Sequence, residues 1–182
     1  MKIISGKFGG RSINVPKKLL IRPTTNICRH ALFNILTNMI SFDDIKVFDI
    51  FSGSGFFGYE CASRGAQKID FLEKNYDCVK FIKATSLTLK INHTVFSKDF
   101  FKFIENFTNT YDLVFADPPY KFDDNKYQTI INYALNNCLK NEKGIFILEH
   151  YKKYSFSENN NLFDERSYGD SKFSFFKKKS GI

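Results

Sequence analysis

The stretch "KVFDIFSGSGFFGYECASRGA", Lys46 to Ala66, decides the fold. It opens on an apolar run, places Gly53, Gly55 and Gly58 in its middle, and continues into a helical segment that stops at Gly65. A nearly continuous apolar strand is one buried on both faces, as in a parallel sheet covered by helices. Glycines between strand and helix let the chain turn sharply and approach a ligand, and the helix start offers free N–H groups. The segment therefore reads as the opening strand, loop and helix of an α/β domain with a ligand at the loop.

Working toward the C-terminus, the same alternation repeats. "KIDFLE" predicts a strand closing on Glu73, "YDCVKFIKATSLTLKI" a helix, "HTVFSKD" a strand and "FFKFIENF" a short helix. "YDLVFAD" predicts a strand, "YQTIINYALNNCLK" a helix and "GIFILEH" a strand, and "FDERSYGDSKFSFFKKK" a terminal hairpin turning at Gly169. Working toward the N-terminus, "NICRHALFNILTNMI" carries Ile27, Ala31, Ile35 and Met39 at every fourth position, flanked by Leu32 and Leu36, and Thr25 or Asn26 can cap it. "KIIS" and "RSINV", joined through "GKFGG", predict an N-terminal hairpin. The expected architecture is an α/β sandwich whose mostly parallel sheet has helices on both faces. A basic hairpin extension over residues 1–20 precedes a single domain over 21–182.

The charge distribution narrows the partners. The net +8 is a property of the chain's ends: residues 1–40 hold seven Lys or Arg and no acid, and residues 171–182 hold four and no acid. Such acid-free segments suit an electrostatic footprint for a phosphate backbone. Cys28, Cys61, Cys78 and Cys138 form no CxxC pair and have no histidines at zinc-like spacing, so free thiols in a reducing compartment and no metal are expected. No apolar run approaches the roughly 20 residues of a membrane span, and a cytoplasmic protein without a membrane partner is expected.

Neither "GKS" nor "GKT" follows the glycine loop, which disfavours nucleoside triphosphate hydrolysis. Asp49 precedes the loop and would repel a pyrophosphate, whereas a cofactor with an amine and a positive centre would welcome it. Glu73 ends the next strand at a spacing suited to ribose hydroxyls. S-adenosylmethionine therefore ranks above a nicotinamide dinucleotide. Asp99 can accept from an adenine amino group and Phe100 can cover the ring, or the pair can be a helix cap and a core aromatic. Asp117, Pro118, Pro119 and Tyr120 close the fourth predicted strand, where two prolines stop the sheet ladder. A carboxylate beside rigid carbonyls can grip both hydrogens of an exocyclic amine, and Tyr120 can stack on the base that carries it.

At these residues the chain resembles a known family. "DPPY" looks like the signature of amino-group nucleic-acid methyltransferases, and "DIFSGSGFFGYECASRGA" resembles their cofactor loop. "KIISGKFGGR", "RPTTNICRHALFN" and "YGDS" are similar to the hairpin, helix and tail motifs of the bacterial RsmD-type small-subunit ribosomal RNA guanine-N2 methyltransferases. The resemblance implies a Rossmann-like class I fold, a monomer, S-adenosylmethionine as donor with S-adenosylhomocysteine as product, and no metal. It further implies methylation of guanine 966 in a partly assembled small subunit. Asp49, Phe51, Gly53, Ser54, Gly55, Gly58, Lys74 and Thr24 would surround the donor, Glu73 would hold its ribose, and Asp99 and Phe100 its adenine. Asp117 to Tyr120 would act on the target amine and base, and Lys7, Arg11, Lys17, Arg22 and Arg29 would hold RNA, with a structural role on its amphipathic helix the equal alternative for Arg29.

This sequence departs from the family pattern at Asn26 and His30, where acids are usual, and at Ser171, where a serine keeps the hydroxyl of the usual threonine. Two other readings stand beside this one. A DNA adenine-N6 methyltransferase would share "DPPY", though the chain has little room for a sequence-reading domain. A catalytically inactive RNA-binding or assembly factor would keep the fold, though binding alone requires neither Asp117 nor Gly53.

Overall fold

The computed structural model describes residues 1–19 and 26–179. Its sheet comprises β1 (Lys46–Ile50), β2 (Lys68–Glu73), β3 (His93–Ser97), β4 (Leu113–Ala116), β5 (Ile145–Tyr151), β6 (Leu162–Tyr168) and β7 (Ser171–Phe176). The spatial order is β3-β2-β1-β4-β5-β7-β6. Strands β3 through β5 in that order pair in parallel, whereas β7 pairs antiparallel with both β5 and β6. The helices are α1 (Asn26–Met39), α2 (Phe56–Arg64), α3 (Tyr76–Thr88), α4 (Phe100–Phe103) and α5 (Asp124–Tyr133). This is a Rossmann-like α/β fold.

Side chains alternate across a strand, so each strand feeds two cores. Val47, Ile69, Phe71, Leu113 and Phe115 meet Phe33, Phe57 and Ile82 from α1, α2 and α3. Phe48, Ile50, Leu72 and Val114 meet Phe100, Phe103, Tyr127 and Ile131 from α4 and α5. Phenylalanine fills much of this volume, and the Phe57 and Phe115 rings stack at 4.1 Å. Short polar side chains start the helices by satisfying orphan N–H groups. Asn75 accepts from Asp77 and Cys78 at the head of α3, Asp99 from Phe101 at α4, and Asp123 from Lys126 at α5.

Helix α1 centres its inward face on the Leu32 and Leu36 flank of the expected stripe, with Ile35 and Met39 partly buried against the same core. Cys28, Leu32, Phe33 and Leu36 are buried, together with Arg29, while Ile27 is 76% exposed. A stripe at every fourth residue drifts around a helix of 3.6 residues per turn, and the heavier Leu32, Phe33 and Leu36 group wins the core. Strand β4 is shorter than "YDLVFAD", with Tyr111 in an isolated bridge to Leu139. The helix expected over 127–140 begins earlier, at Asp124, and ends in a π turn, Ala134–Cys138. Thr25, the other candidate cap of α1, lies outside the described residues.

The two N-terminal strands are reduced to one bridge, Lys2 to Ser12, with flanking bonds from Ile3 N–H to Arg11 and from Gly10 N–H to Ile3. The reason lies in α2, which competes for the same backbone. Buried Glu60 accepts from the N–H groups of Ile4 at 2.7 Å and Ser5 at 3.1 Å, and Ser63 receives Lys7 and Phe8 N–H. Gly6 sits at φ 79° so close that a Cβ there would lie 1.9 Å from the Ser63 carbonyl oxygen. Ile3, Phe8 and Ile13 are buried in the same core as α1 and α2, so the segment is seated on the domain body.

Candidate active site

The strand order reverses between β1 and β4, since the chain leaves β1 for β2 on one side and β4 for β5 on the other. Ligands of open α/β sheets bind beyond the strand C-termini at such a switch point. A cavity of about 870 Å³ opens there, walled by Asp49, Gly53, Glu73, Asp117 and Tyr120 among others. That volume lies in the usual range for small-molecule sites, about 300–1,000 Å³. One crevice thus brings together the ends of β1, β2 and β4.

In its first half, Asp49 is 1% exposed and accepts the Gly58 N–H at 3.1 Å. Burial pushes its carboxyl well above the usual range; the Gly58 N–H opposes this and the nearby Glu73 charge adds to it. Glu73 uses both oxygens to tie the loops, accepting from Gly53 N–H at 2.9 Å and Asn75 N–H at 2.7 Å. Gly55 N–H goes to the Ser52 carbonyl at 2.7 Å. The N–H groups of all three loop glycines are therefore engaged inside the protein, and the glycines act by shape rather than by donating to a ligand. Phe51 holds φ 58° without being glycine, a conformation that stores about 1–3 kcal/mol of strain and turns the loop at the cavity wall.

Gly55 and Gly58 are not in the cavity wall. Gly58 instead permits α2 to press on β2: a Cβ there would meet the Phe71 ring at 2.3 Å and Ile69 at 2.7 Å. Gly58→Ala should therefore overpack the core by about 1–3 kcal/mol and lower Tm by roughly 2–12 °C. Thermal denaturation checks this, and an unchanged Tm would mean that the ring can yield.

Phe51, Ser54, Lys74 and Phe100 line the cavity as the sequence suggests, and Thr24 lies outside the described residues. Asp99 does not line it: one carboxylate oxygen caps α4 and the other faces Lys74 at 3.5 Å. Several lining residues escaped the sequence reading, among them Asn75, Cys78, Lys98 and Lys121. Asn75 was findable, because an Asn directly before "YDCVKFIK" is a helix-cap signal that also fixes its place beside Glu73.

The second half begins where β4 ends. The Asp117 N–H keeps one last contact with the Ile50 carbonyl at 3.4 Å. The Pro119 carbonyl then takes Phe122 N–H at 3.0 Å, folding the chain into a turn. This turn sets Asp117, Pro118, Pro119 and Tyr120 along one wall of the cavity. Lys7 and Arg11 flank the Phe8 ring at 4.9 and 5.2 Å on the exposed face of the N-terminal segment, and exposed Lys17 reaches the cavity mouth. Arg29 is placed differently from those cations. It is 6% exposed, stacks over Phe56 at 4.9 Å, bonds to Asn26, and forms part of the cavity wall. Arg22 lies outside the described residues.

Residues 1–177 match the model of a family described as conserved hypothetical protein 95. The chain belongs to this family. It is an S-adenosylmethionine-dependent methyltransferase, related to the RsmD and YlbH proteins. The ribosomal RNA small subunit methyltransferase D of Buchnera aphidicola subsp. Baizongia pistaciae is 35% identical over 81% of this chain and 74% of its own length. The Haemophilus influenzae protein of the same name is 34% identical over 93% of this chain and 89% of its own. Among solved structures, the yhhF protein of Escherichia coli aligns with a TM-score of 0.84 at 26% identity, covering 100% of this chain and 99% of that one. The cavity suits the family's donor. Two acids, Asp49 and Glu73, stand between the apolar walls of Phe51, Leu72 and Phe100, a setting that favours a cation carrying a ribose and an aromatic ring over a pyrophosphate.

Proposed function

We propose that this protein methylates the exocyclic N2 of a guanine in small-subunit ribosomal RNA, acting in the cytoplasm as a monomer on a partly assembled particle. The observation that carries the reading is the placement of Asp117–Tyr120 on the same cavity as Asp49 and Glu73. The relatives named for ribosomal RNA methylation support the substrate class, and guanine 966 is the finer assignment that follows from the family resemblance.

In this reading Glu73 would hold the donor ribose, Asp49 its positive end, and Phe100 its adenine. The donor supplies an electrophilic methyl group when bound. The Asp117 carboxylate and the Pro118 carbonyl accept from the two amine hydrogens, which turns the nitrogen lone pair toward the donor. Tyr120 stacks on the flipped base and excludes water. Asp117 would also offset the positive charge that grows on the nitrogen as the methyl leaves sulfur, S-adenosylhomocysteine being the leaving group, and would take up the amine proton then lost. Positioning and desolvation supply the remaining rate enhancement.

The test is transfer of labelled methyl from S-adenosylmethionine to small subunits isolated from cells lacking the gene, followed by nucleoside analysis. Labelled N2-methylguanosine supports the proposal. Label in duplex DNA as N6-methyladenosine, with none in the subunits, would overturn it.

Lys7 and Arg11 position the RNA backbone rather than reading bases. Replacing both with alanine should weaken RNA binding and lower the slope of log K against log salt by about 1–2, since each phosphate contact contributes roughly 0.7–0.9. Affinity titrations across a salt series measure this. An unchanged slope would move the footprint elsewhere.

A further inference from the structure

The Tyr120 hydroxyl lies 2.6 Å from Ser171 Oγ, and the Ser171 hydroxyl donates to Glu149 Oε1 at 3.0 Å. Glu149 lies on β5 at 0% exposure, and Ser171 opens β7 at 7%. Neither lines the cavity, whereas Tyr120 does. A carboxylate only accepts hydrogen bonds, and a serine hydroxyl has one hydrogen to give. With that hydrogen on Glu149, the Tyr120 O–H has to donate to Ser171. The phenol's only hydrogen then points into the protein, away from the cavity. The ring is held at its far end as well as at its Cβ, and the Tyr151 ring adds a side contact at 5.6 Å.

We propose that Ser171 and Glu149 are positioning residues for methyl transfer: the buried carboxylate orients the serine hydroxyl, and the serine fixes the tilt of the Tyr120 ring against which the target base rests. The proposal depends on the reading of Tyr120 as the wall of the acceptor site. Each partner comes from a different element, namely the turn after β4, the parallel strand β5 and the antiparallel strand β7, so the bond couples the tail hairpin to the reacting centre. A hydroxyl at position 171 is essential to this arrangement, while the identity of its carrier, serine or threonine, is not. A ring free to tilt would spoil the near-attack geometry of the amine without removing any contact to the donor, so the loss falls on kcat.

The experiment measures kcat, acceptor KM, donor Kd and Tm for Ser171→Ala, Ser171→Thr, Glu149→Gln, Tyr120→Phe, Tyr120→Ala and the double variant Ser171→Ala with Tyr120→Phe. Ser174→Ala is the control. Ser174 lies on the same strand and bonds to His150 and Glu165, so its loss perturbs β7 without touching Tyr120. Ser171→Ala and Tyr120→Phe should each lower kcat by about 10- to 100-fold with donor Kd unchanged. The double variant should be no slower than either alone, because both remove the same bond. Ser171→Thr should stay near the parent rate, Glu149→Gln should fall between, and Ser174→Ala should leave kcat unchanged. Additive losses in the double variant, an equal loss in Ser174→Ala, or a normal kcat in Ser171→Ala would each overturn the relay. Normal kcat and acceptor KM in Tyr120→Ala would instead overturn the underlying reading of Tyr120, which separates the two failures.

Discussion

Asp117→Ala is expected to lower kcat by about 10²–10³-fold, the usual loss when one preorganised polar group at a developing charge is removed. Donor Kd should stay within about twofold, because Asp117 stands at the end of β4 whereas the donor-facing acids stand at the ends of β1 and β2. The two halves of the cavity thus separate in the kinetics. Asp117→Asn keeps an acceptor oxygen and loses only the charge, so it should retain more activity than the alanine variant. Single-turnover methyl transfer with the donor at saturation, alongside calorimetry of donor binding, measures both quantities. An unchanged turnover would remove Asp117 from the chemistry. A parallel collapse of donor affinity would place it in the first half of the cavity instead.

Asp49→Asn should raise the Tm of the donor-free protein and weaken donor binding by at least about tenfold. Burial holds the folded-state pKa of Asp49 above its ordinary value. A carboxyl raised in this way favours the fold below its unfolded pKa of about 3.9, and that contribution is lost as pH rises through the folded value. Above the folded pKa the ionised group therefore opposes folding. Asparagine keeps the oxygen that accepts the Gly58 N–H and removes the buried charge. The same charge is what a cationic donor requires, so stability and binding move in opposite directions. In the parent protein, donor affinity should tighten as pH rises through the folded pKa, with proton release visible as a buffer-dependent binding enthalpy. A lower Tm in Asp49→Asn would mean that the ionised carboxylate stabilises the empty site.

The sequence was most informative where one local rule determines the outcome. Runs such as "KVFDI" and "IFILEH" are apolar on both faces because helices cover both, so the parallel strands and their order along the chain were readable. Asp49, Glu73 and Asp117 were readable as a group because acids at the C-terminal ends of buried strands have few structural reasons to be there. What escaped depends on contacts between distant segments. The loop is expected to offer free N–H groups at the helix start, yet Glu73, Ser52 and Asp49 accept those of Gly53, Gly55 and Gly58. Sequence left Arg29 open between an RNA-holding cation and a structural residue of its helix, and only the fold shows it stacked on Phe56 and in the wall. The seating of the N-terminal segment depends on Glu60 and Ser63, whose partners lie more than fifty residues away and leave no periodic signal.

Strand β7 comes last among the described strands yet lies inside the sheet, between β5 and β6. At translation rates of about 5–20 residues per second the earlier units emerge and can begin to fold first. Until Ser171–Phe176 arrives, β5 presents an open edge of unpaired backbone and Tyr120 lacks its hydroxyl partner. A nascent chain can thus carry the donor-binding strands well before its acceptor wall is complete. The strand that supplies the Tyr120 partner also buries Phe173, Phe175 and Phe176 in the two cores, so the acceptor wall and the closing of the sheet depend on one late segment.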